Sequence, residues 1–154
     1  MMSTLAAGVA ASFAAPVSAA TAGPVYVIPV KQTVQSGLAS FLDRALTEAE
    51  EAGASLAVLV VDTPGGRLDT AEDIAARVRD AKVPTVAFVT GKAASAGAYL
   101  SLNAGNIAMA PGTTIGAAMI VDQAGNAVAD PKLMGHWKSE MRSAAQLNGR
   151  NPDI

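Results

Sequence analysis

The chain has 154 residues, which is enough for one domain with a single buried core. Hydrophobic residues make up 51%, charged residues make up 16%, and the formal net charge is -2, so the composition fits neither a disordered chain nor a nucleic-acid-binding protein. The lack of cysteine excludes thiol catalysis, disulfides and thiolate metal sites, and a single histidine excludes a multi-histidine metal centre.

The N-terminal stretch differs from the rest of the chain. Residues 5–20 are apolar and small, are interrupted by Gly8 and Pro16, and end in serine and alanine residues typical of a secretory cleavage site. The stretch is too short and too weakly hydrophobic for a membrane-spanning helix. A signal normally begins with basic residues, whereas the first one here is Lys31. We predict a signal-like or disordered segment over residues 1–22 and export of the chain, with an alanine-rich tail as the alternative.

Residues 23–154 alternate between strand-like and helix-like patterns. The patterns predict strands over residues 25–30, 56–61, 85–89 and 106–110 and helices over residues 37–52, 70–82, 95–103 and 131–148. Residues 115–121 also fit a strand, and a loop over residues 122–126 follows. The continuous apolar run at 56–61 is typical of a strand buried on both faces of a parallel sheet. The alternation predicts one α/β domain, with right-handed βαβ units in a mostly parallel sheet and helices packed on it.

Two predicted helices have specific start signals. Thr70 and Asp73 form a pattern that resembles a capping box. Asp130 precedes Pro131, which places a capping carboxylate before a proline at the first helical position. We therefore expect helices to begin at these two points.

Three strands of the predicted sheet are followed by turns of small residues. The ligands of open α/β sheets bind at the carboxyl ends of the strands. The turns are Thr63-Pro64-Gly65-Gly66 after the second strand, the one at Ser95 after the third and Pro111-Gly112-Thr113-Thr114-Ile115-Gly116 after the fourth. Each is interpreted most simply as a turn when taken alone. Their convergence on one edge of the sheet favours a binding or catalytic site.

Ser95 is the candidate nucleophile. It is flanked by small residues at the point where a strand turns into a helix, which would expose its hydroxyl beside unpaired N–H groups and the positive end of a helix dipole. Acyl transfer needs this geometry, because the oxyanion forms next to such N–H groups. The alternative is a serine that only caps the helix, and the Gly-x-Ser-x-Gly nucleophile elbow is not matched.

Three residues are candidates for the base that would activate this serine. His136 lies within a predicted helix and is interpreted as a partly exposed helix residue. Lys132 lies in the first turn of the last helix, where the positive end of the dipole disfavours an ammonium ion, so desolvation would leave a neutral amine. A solvated surface lysine is the alternative for Lys132. Lys92 is placed on the loop entering the site and is interpreted as a surface charge.

Four ordered motifs of the chain resemble those of a known family. They are Asp62-Thr63-Pro64-Gly65-Gly66, Ala94-Ser95-Ala96-Gly97-Ala98-Tyr99, Ala110-Pro111-Gly112-Thr113-Thr114-Ile115-Gly116 and Gly149-Arg150-Asn151. Together, and over the chain from about residue 25 onward, they are similar to the NfeD family, membrane-associated serine proteases of the Clp protease and signal peptide peptidase A class.

The resemblance implies a Clp/crotonase-like fold and a Ser–Lys dyad formed by Ser95 and Lys132. It places the oxyanion hole at Gly65 and Gly66, with the Ala96 N–H as a second donor. Family members are thought to cleave hydrophobic segments of stomatin-like membrane partners and to assemble, so the resemblance also implies a stomatin-like partner and a homo-oligomer. It further implies a membrane-associated or exported protein.

We therefore predict a serine endopeptidase that needs no metal or organic cofactor. Three apolar residues suit a hydrophobic peptide or membrane-protein substrate or, equally, a core strand: Ile115, Met119 and Ile120.

A crotonase-like acyl-CoA enzyme is disfavoured, because no glutamate occurs between Asp73 and Ser139. Larger NfeD members continue beyond Gly-Arg-Asn into more protease domain, membrane helices and a small β-barrel, and we expect no membrane anchor in this chain. A truncated, non-catalytic binding or oligomerisation module of the same fold is therefore the second hypothesis.

Overall fold

The computed structural model describes residues 23–121 and 126–153, and the signal-like segment predicted over residues 1–22 lies outside them. The elements follow in the order β1 (Val25–Val34), α1 (Ser36–Glu51), β2 (Leu56–Gly66), α2 (Leu68–Arg79), β3 (Thr85–Ala94), α3 (Ala96–Asn103), β4 (Asn106–Met109), β5 (Thr114–Gly116) and α4 (Pro131–Leu147). Among the described residues, no helix has the length and apolar character needed to span a bilayer.

The strands form one parallel sheet in the order β1-β2-β3-β4, as the alternating pattern predicts. β4 pairs with β3 as far as Val89, and β5 then takes its place beside Lys92, Ala93 and Ala94. β1 is an edge strand, which is where a strand tolerates a proline such as Pro29. β5 therefore flanks the end of β3, just before Ser95.

The core lies between the sheet and the helices packed on it. The strand residues on one face are buried, including Ile28, Leu59 and Ala87, while Val25 and Val27 on the opposite face of β1 are exposed. α1 packs on β1, and α3 packs on β2 and β3. Because α3 is buried along its whole length, its first turn lies in a low-dielectric part of the protein.

α4 is docked on α3 by aromatic and polar contacts. The rings of Tyr99 and Trp137 lie 4.9 Å apart between centroids, and the Tyr99 hydroxyl donates to a Glu140 carboxylate oxygen at 2.8 Å. After α4 the chain turns at Gly149, and the Arg150 guanidinium donates to the carbonyls of Leu102, Ala104 and Gly105 at 2.7, 2.9 and 3.0 Å. Arg150 therefore supplies donors to carbonyls at the end of α3 that have no helical partner.

The structure changes several element boundaries. α2 begins at Leu68 and not at Thr70, and its N-cap Arg67 makes no side-chain capping bond. The capping-box prediction at Thr70 is wrong, because Thr70 lies inside the first turn of α2 with its side chain buried. The backbone N–H of Thr70 donates to Asp69 Oδ1 at 2.7 Å. α4 starts as predicted, with the Asp130 carboxylate accepting from the N–H groups of Lys132 and Leu133.

The strand predicted over residues 115–121 is shorter in the structure. Only Thr114–Gly116 forms β5, because Gly116 with φ +136° and Ala117 with φ 51° turn the chain away from the sheet. Beyond the turn, Val121 forms an isolated antiparallel bridge with Ala127. Residues 122–125 of the predicted loop lie outside the described residues.

Candidate active site

Ser95 lies at the junction of β3 and α3 in an unusual backbone conformation. Its φ is 52° and its ψ is -116°, a region that residues with a side chain rarely adopt. Hydrogen bonds on both sides hold it there: the Ser95 N–H donates to the Gly116 carbonyl at 2.8 Å, and the Ser95 carbonyl accepts from Ala98 and Tyr99. Such strain persists only where the surroundings impose it, and it is concentrated at functional sites.

The Ser95 hydroxyl does not cap the helix. Ser95 occupies the N-cap position of α3, but its side chain makes no capping hydrogen bond. The N–H groups of Ala96 and Gly97 have no acceptor among the residues that the structure describes. The hydroxyl and two helix N-terminal donors are therefore available together at one point.

The glycine pair at the end of β2 lies against this junction. A Cβ added to Gly65 would lie 2.7 Å from the Ser95 Cβ and 2.9 Å from the Ala94 carbonyl oxygen, so only glycine fits there. The Gly65 N–H donates to Thr63 Oγ1 at 3.1 Å and is already paired. The Arg67 N–H donates to the Val34 carbonyl on β1, and a Cβ added to Gly66 would lie 2.1 Å from that carbonyl oxygen, so this position also admits only glycine.

Ser95 opens into a cavity of about 370 Å³. Five of the predicted site residues line it: Gly66, Ser95, Ala96, Met119 and Ile120. The other lining residues are Thr33, Arg67, Leu68, Val121 and Trp137. Ile115 lies instead in a neighbouring cavity of about 490 Å³, which shares Trp137 with the first. The structure thus brings together the serine, two of the predicted oxyanion-hole residues and two of the predicted substrate-binding residues.

Trp137 is a site residue that the sequence analysis placed only in the apolar stripe of α4. It is buried, lines both cavities, and donates its Nε1–H to the Ala118 carbonyl. That bond fixes the loop that carries Met119 and Ile120 against the cavity. A tryptophan at helical spacing has the same pattern as a core residue, and its hydrogen bond to a distant loop leaves no signal in the sequence.

The candidate bases lie outside the cavity. Lys132 is in the first turn of α4, its backbone N–H donates to Asp130 Oδ1 at 2.8 Å, and its side chain is exposed. None of the contacts recorded among the described residues joins Lys132 to Ser95. Lys92 is also exposed and lies on β3, not on the incoming loop. The His136 side chain is 58% exposed, with its Nε2 3.8 Å from Glu72 Oε1.

A parallel sheet with alternating helices and a strained serine at a strand-to-helix junction places the chain in the ClpP-like fold class. ClpP1 from Listeria monocytogenes superposes with a TM-score of 0.65 at 21% identity, over 82% of this chain and 74% of that one. The model of the NfeD1b N-terminal domain matches residues 24–154. The chain therefore belongs to the NfeD1b N-terminal domain family.

Two relatives identify the proteins in which this domain occurs. Membrane protein NfeD1b of Bacillus subtilis is 48% identical over 128 residues, which cover 83% of this chain and 29% of the relative. Membrane-bound protease PH1510 of Pyrococcus horikoshii is 38% identical over 137 residues, which cover 84% of this chain and 31% of the relative. The chain thus spans about three tenths of the length of the curated relatives it matches.

Solved structures of 1510-N, described as a membrane-bound stomatin-specific protease, are also similar. A lysine-to-alanine variant in complex with a substrate peptide matches with a TM-score of 0.80 and 36% identity, over 86% of this chain and 64% of that one. A serine-to-alanine variant matches with a TM-score of 0.79 and 36% identity, over 85% and 67%. In that protease, therefore, one serine and one lysine have been substituted for structural study.

Proposed function

We propose that this chain is the catalytic domain of a serine endopeptidase that uses Ser95 as nucleophile and Lys132 as general base. The observation that carries the proposal is the backbone of Ser95, which is held at φ 52° with its hydroxyl uncapped beside the unpaired Ala96 N–H. This conformation lets a reactive hydroxyl stand clear of the strand and helix that hold it.

The proposed reaction is acyl transfer. Neutral Lys132 Nζ takes the proton of Ser95 Oγ, and the oxygen attacks the scissile carbonyl carbon. The Gly66 and Ala96 N–H groups bind the resulting oxyanion, and each such donor lowers the barrier by about 3 kcal/mol. Lys132 then transfers its proton to the leaving amine, and water hydrolyses the acyl ester and restores the serine. In this scheme Gly65 is not a donor, because its N–H is paired with Thr63. The absence of a side chain at Gly65 lets the end of β2 approach Ser95 closely.

Lys132 must move towards the serine for this mechanism. Its side chain is exposed and unconstrained by any contact among the described residues, so a change of rotamer costs little. It lies in the first turn of α4, where a bound substrate would cover it. The lysine-to-alanine and serine-to-alanine variants of the 1510-N protease support this pairing.

The cavity suits a hydrophobic peptide. Leu68, Met119, Ile120 and Trp137 form its apolar lining, and the adjoining cavity that contains Ile115 extends this surface. A stomatin-like membrane protein is the proposed substrate and partner, since a relative is described as stomatin-specific. We also propose that the domain acts as a homo-oligomer at the outer face of a membrane.

The alternative is a non-catalytic binding module of the same fold. The exposed position of Lys132, outside the Ser95 cavity, favours this alternative. A binding module would keep the sheet and the apolar cavity but would have no means of activating the serine. The two functions differ in whether Ser95 is nucleophilic.

Intact mass after treatment with a fluorophosphonate decides between them. The endopeptidase proposal expects one adduct on the wild type, none on Ser95→Ala, and an adduct that forms at least 100-fold more slowly on Lys132→Ala. Lys92→Ala is the matched control, because Lys92 is also exposed and is closer in sequence to Ser95; it should label like the wild type. A folded wild type that forms no adduct would exclude the endopeptidase and leave the binding module.

A further inference from the structure

Thr63 occupies a central place in the candidate site without lining the cavity. It is fully buried and lies two residues before Gly65 on β2. Its Oγ1 donates to the Gln32 carbonyl on β1 and accepts the Gly65 N–H at 3.1 Å. One hydroxyl thus connects the neighbouring strand to the glycine turn.

The backbone around Thr63 explains why a side chain is needed there. The β1–β2 pairing shifts register between Lys31 and Thr33, and the β2–β3 pairing shifts between Val61 and Thr63. Gln32, at the first shift, has a φ of 65°. Where the ladder is irregular, the Thr63 hydroxyl supplies a hydrogen bond that the backbone does not.

The methyl group of Thr63 contacts the other half of the site. A Cβ added to Gly97, in the first turn of α3, would lie 2.5 Å from Thr63 Cγ2. The methyl group therefore packs directly against the helix that begins at Ser95. The side chain contacts both the turn that carries Gly66 and the helix that carries Ala96, the two proposed oxyanion donors.

We propose that Thr63 is a positioning residue that sets the distance between the Gly66 and Ala96 N–H groups through its hydroxyl. It touches neither substrate nor the reacting atoms, and this role rests on the proposed function. The hydroxyl holds the glycine segment by accepting the Gly65 N–H, so Gly66, which lines the cavity, is the proposed donor of the pair. Since a displacement of about 1 Å can slow a reaction about 100-fold, the loss of this bond should affect the chemical step.

Two substitutions separate the hydroxyl from the methyl group. Thr63→Val keeps the shape and loses both hydrogen bonds, whereas Thr63→Ser keeps the hydroxyl and loses the packing on Gly97. With a fluorophosphonate, we expect the limiting rate constant of labelling to fall about 10- to 100-fold in Thr63→Val. The fluorophosphonate concentration that gives the half-maximal rate should not change, and all of the protein should finally be labelled. Thr63→Ser should stay within about threefold of the wild type.

A purely structural role predicts a different result. Thermal unfolding followed by circular dichroism gives the stability of each variant, and a partly unfolded variant would reach a lower final labelling at an unchanged rate. If labelling rates follow stability, or if Thr63→Val labels like Thr63→Ser, the positioning role is wrong.

A second measurement does not depend on catalysis. Amide hydrogen exchange read by NMR should show faster exchange at Gly65 and a shifted Ala96 resonance in Thr63→Val, with both preserved in Thr63→Ser. If the wild type is not labelled, the endopeptidase proposal fails, and this exchange pattern alone decides whether Thr63 holds the turn. Unchanged exchange at Gly65 in Thr63→Val would overturn the inference.

Discussion

Gly65 and Ser95 lie so close that a Cβ on the glycine would be 2.7 Å from the Cβ of the serine. Real Cβ atoms do not approach this closely, so the glycine pair at the end of β2 and the serine after β3 fit together only while residue 65 has no side chain. The contact joins the two segments that the proposed mechanism needs side by side.

Gly65→Ala should therefore damage both stability and reactivity. Gly112→Ala is the matched control, because Gly112 also has a positive φ, 76°, but has open space around its Cβ position. We expect Gly112→Ala to lower the free energy of unfolding by about 1 kcal/mol and to label normally with a fluorophosphonate. Gly65→Ala should cost more than this in urea unfolding and should label at least 100-fold more slowly. Equal effects of the two substitutions would contradict the close-packing argument.

The strain at Ser95 predicts an unusual order of stability. Glycine adopts positive φ without penalty, whereas alanine at φ 52° keeps the strain of the serine. Ser95→Gly should therefore exceed Ser95→Ala in free energy of unfolding by about 1 kcal/mol, although neither variant reacts. Urea unfolding of both variants under the same conditions is the measurement. If Ser95→Ala is the more stable of the two, the serine backbone is not strained in solution.

The sequence predicts the fold well and the site in part. Short apolar runs identify the strands and apolar stripes at helical spacing identify the helices, because burial dictates those patterns. The ends of β2 and β3 extend past the predicted boundaries, since Val34 pairs with Gly66 and Ala93 with Ile115, and pairing depends on partners that a local pattern does not contain.

The site, like the strand ends, depends partly on contacts that the local sequence does not contain. Ser95 is recognisable from its small neighbours, but its positive φ is imposed by the Gly116 carbonyl, which comes from a distant segment. The contact between Trp137 and Ala118 likewise depends on the path of a loop. The link between Ser95 and Lys132 is still a prediction, because the path of residues 117–130 determines where that lysine lies, and residues 122–125 lie outside the described part of the chain.

Trp137 provides an internal probe of the cavity. It is the single tryptophan of the chain and lines the space next to Ser95. Binding of an apolar peptide boronate should therefore shift its fluorescence emission, because the ligand replaces water beside the indole. Ser95→Ala should show a weaker shift, since it retains the cavity and loses the covalent bond. A boronate adduct seen by mass with no change in emission would place the ligand elsewhere.

Arg150 should be important for stability. Its guanidinium donates to the carbonyls of Leu102, Ala104 and Gly105, and among the described residues only Leu102 keeps another donor, Asn148 Nδ2, in Arg150→Ala, so this substitution should lower the free energy of unfolding by about 2 kcal/mol. Arg142→Ala is the control, because Arg142 is exposed on α4. Its effect in urea unfolding should be within about 0.5 kcal/mol of zero. Similar losses in the two variants would argue against a specific role of Arg150.

Acid should weaken the contact between α1 and α2. Glu50 Oε1 accepts from Arg77 at 3.0 Å and from the Lys82 N–H at 3.0 Å, and these bonds, the Arg77 bond above all, hold the pKa of Glu50 below its usual value. Because the folded pKa lies below the unfolded one, this stabilisation is present above about pH 5 and is lost as pH falls through about 4 and below.

The measurement is urea unfolding between pH 7 and pH 3. Glu50→Gln should be less stable than the wild type at pH 7 and should lose less stability towards pH 3. Glu51→Gln, at an exposed neighbouring position, should follow the wild-type profile. If the stability of Glu50→Gln depends on pH in the same way as that of the wild type, other carboxylates cause the acid sensitivity.

The bond between Arg150 and α3 also concerns the order in which the protein is made. Leu102 and Arg150 are 48 positions apart, so α3 is synthesised long before the side chain that completes its end. A nascent chain that has emerged only as far as the end of α3 holds a helix whose last carbonyls still depend on water. The end of the helix that follows Ser95 is therefore completed late, only when the chain has been made as far as Arg150.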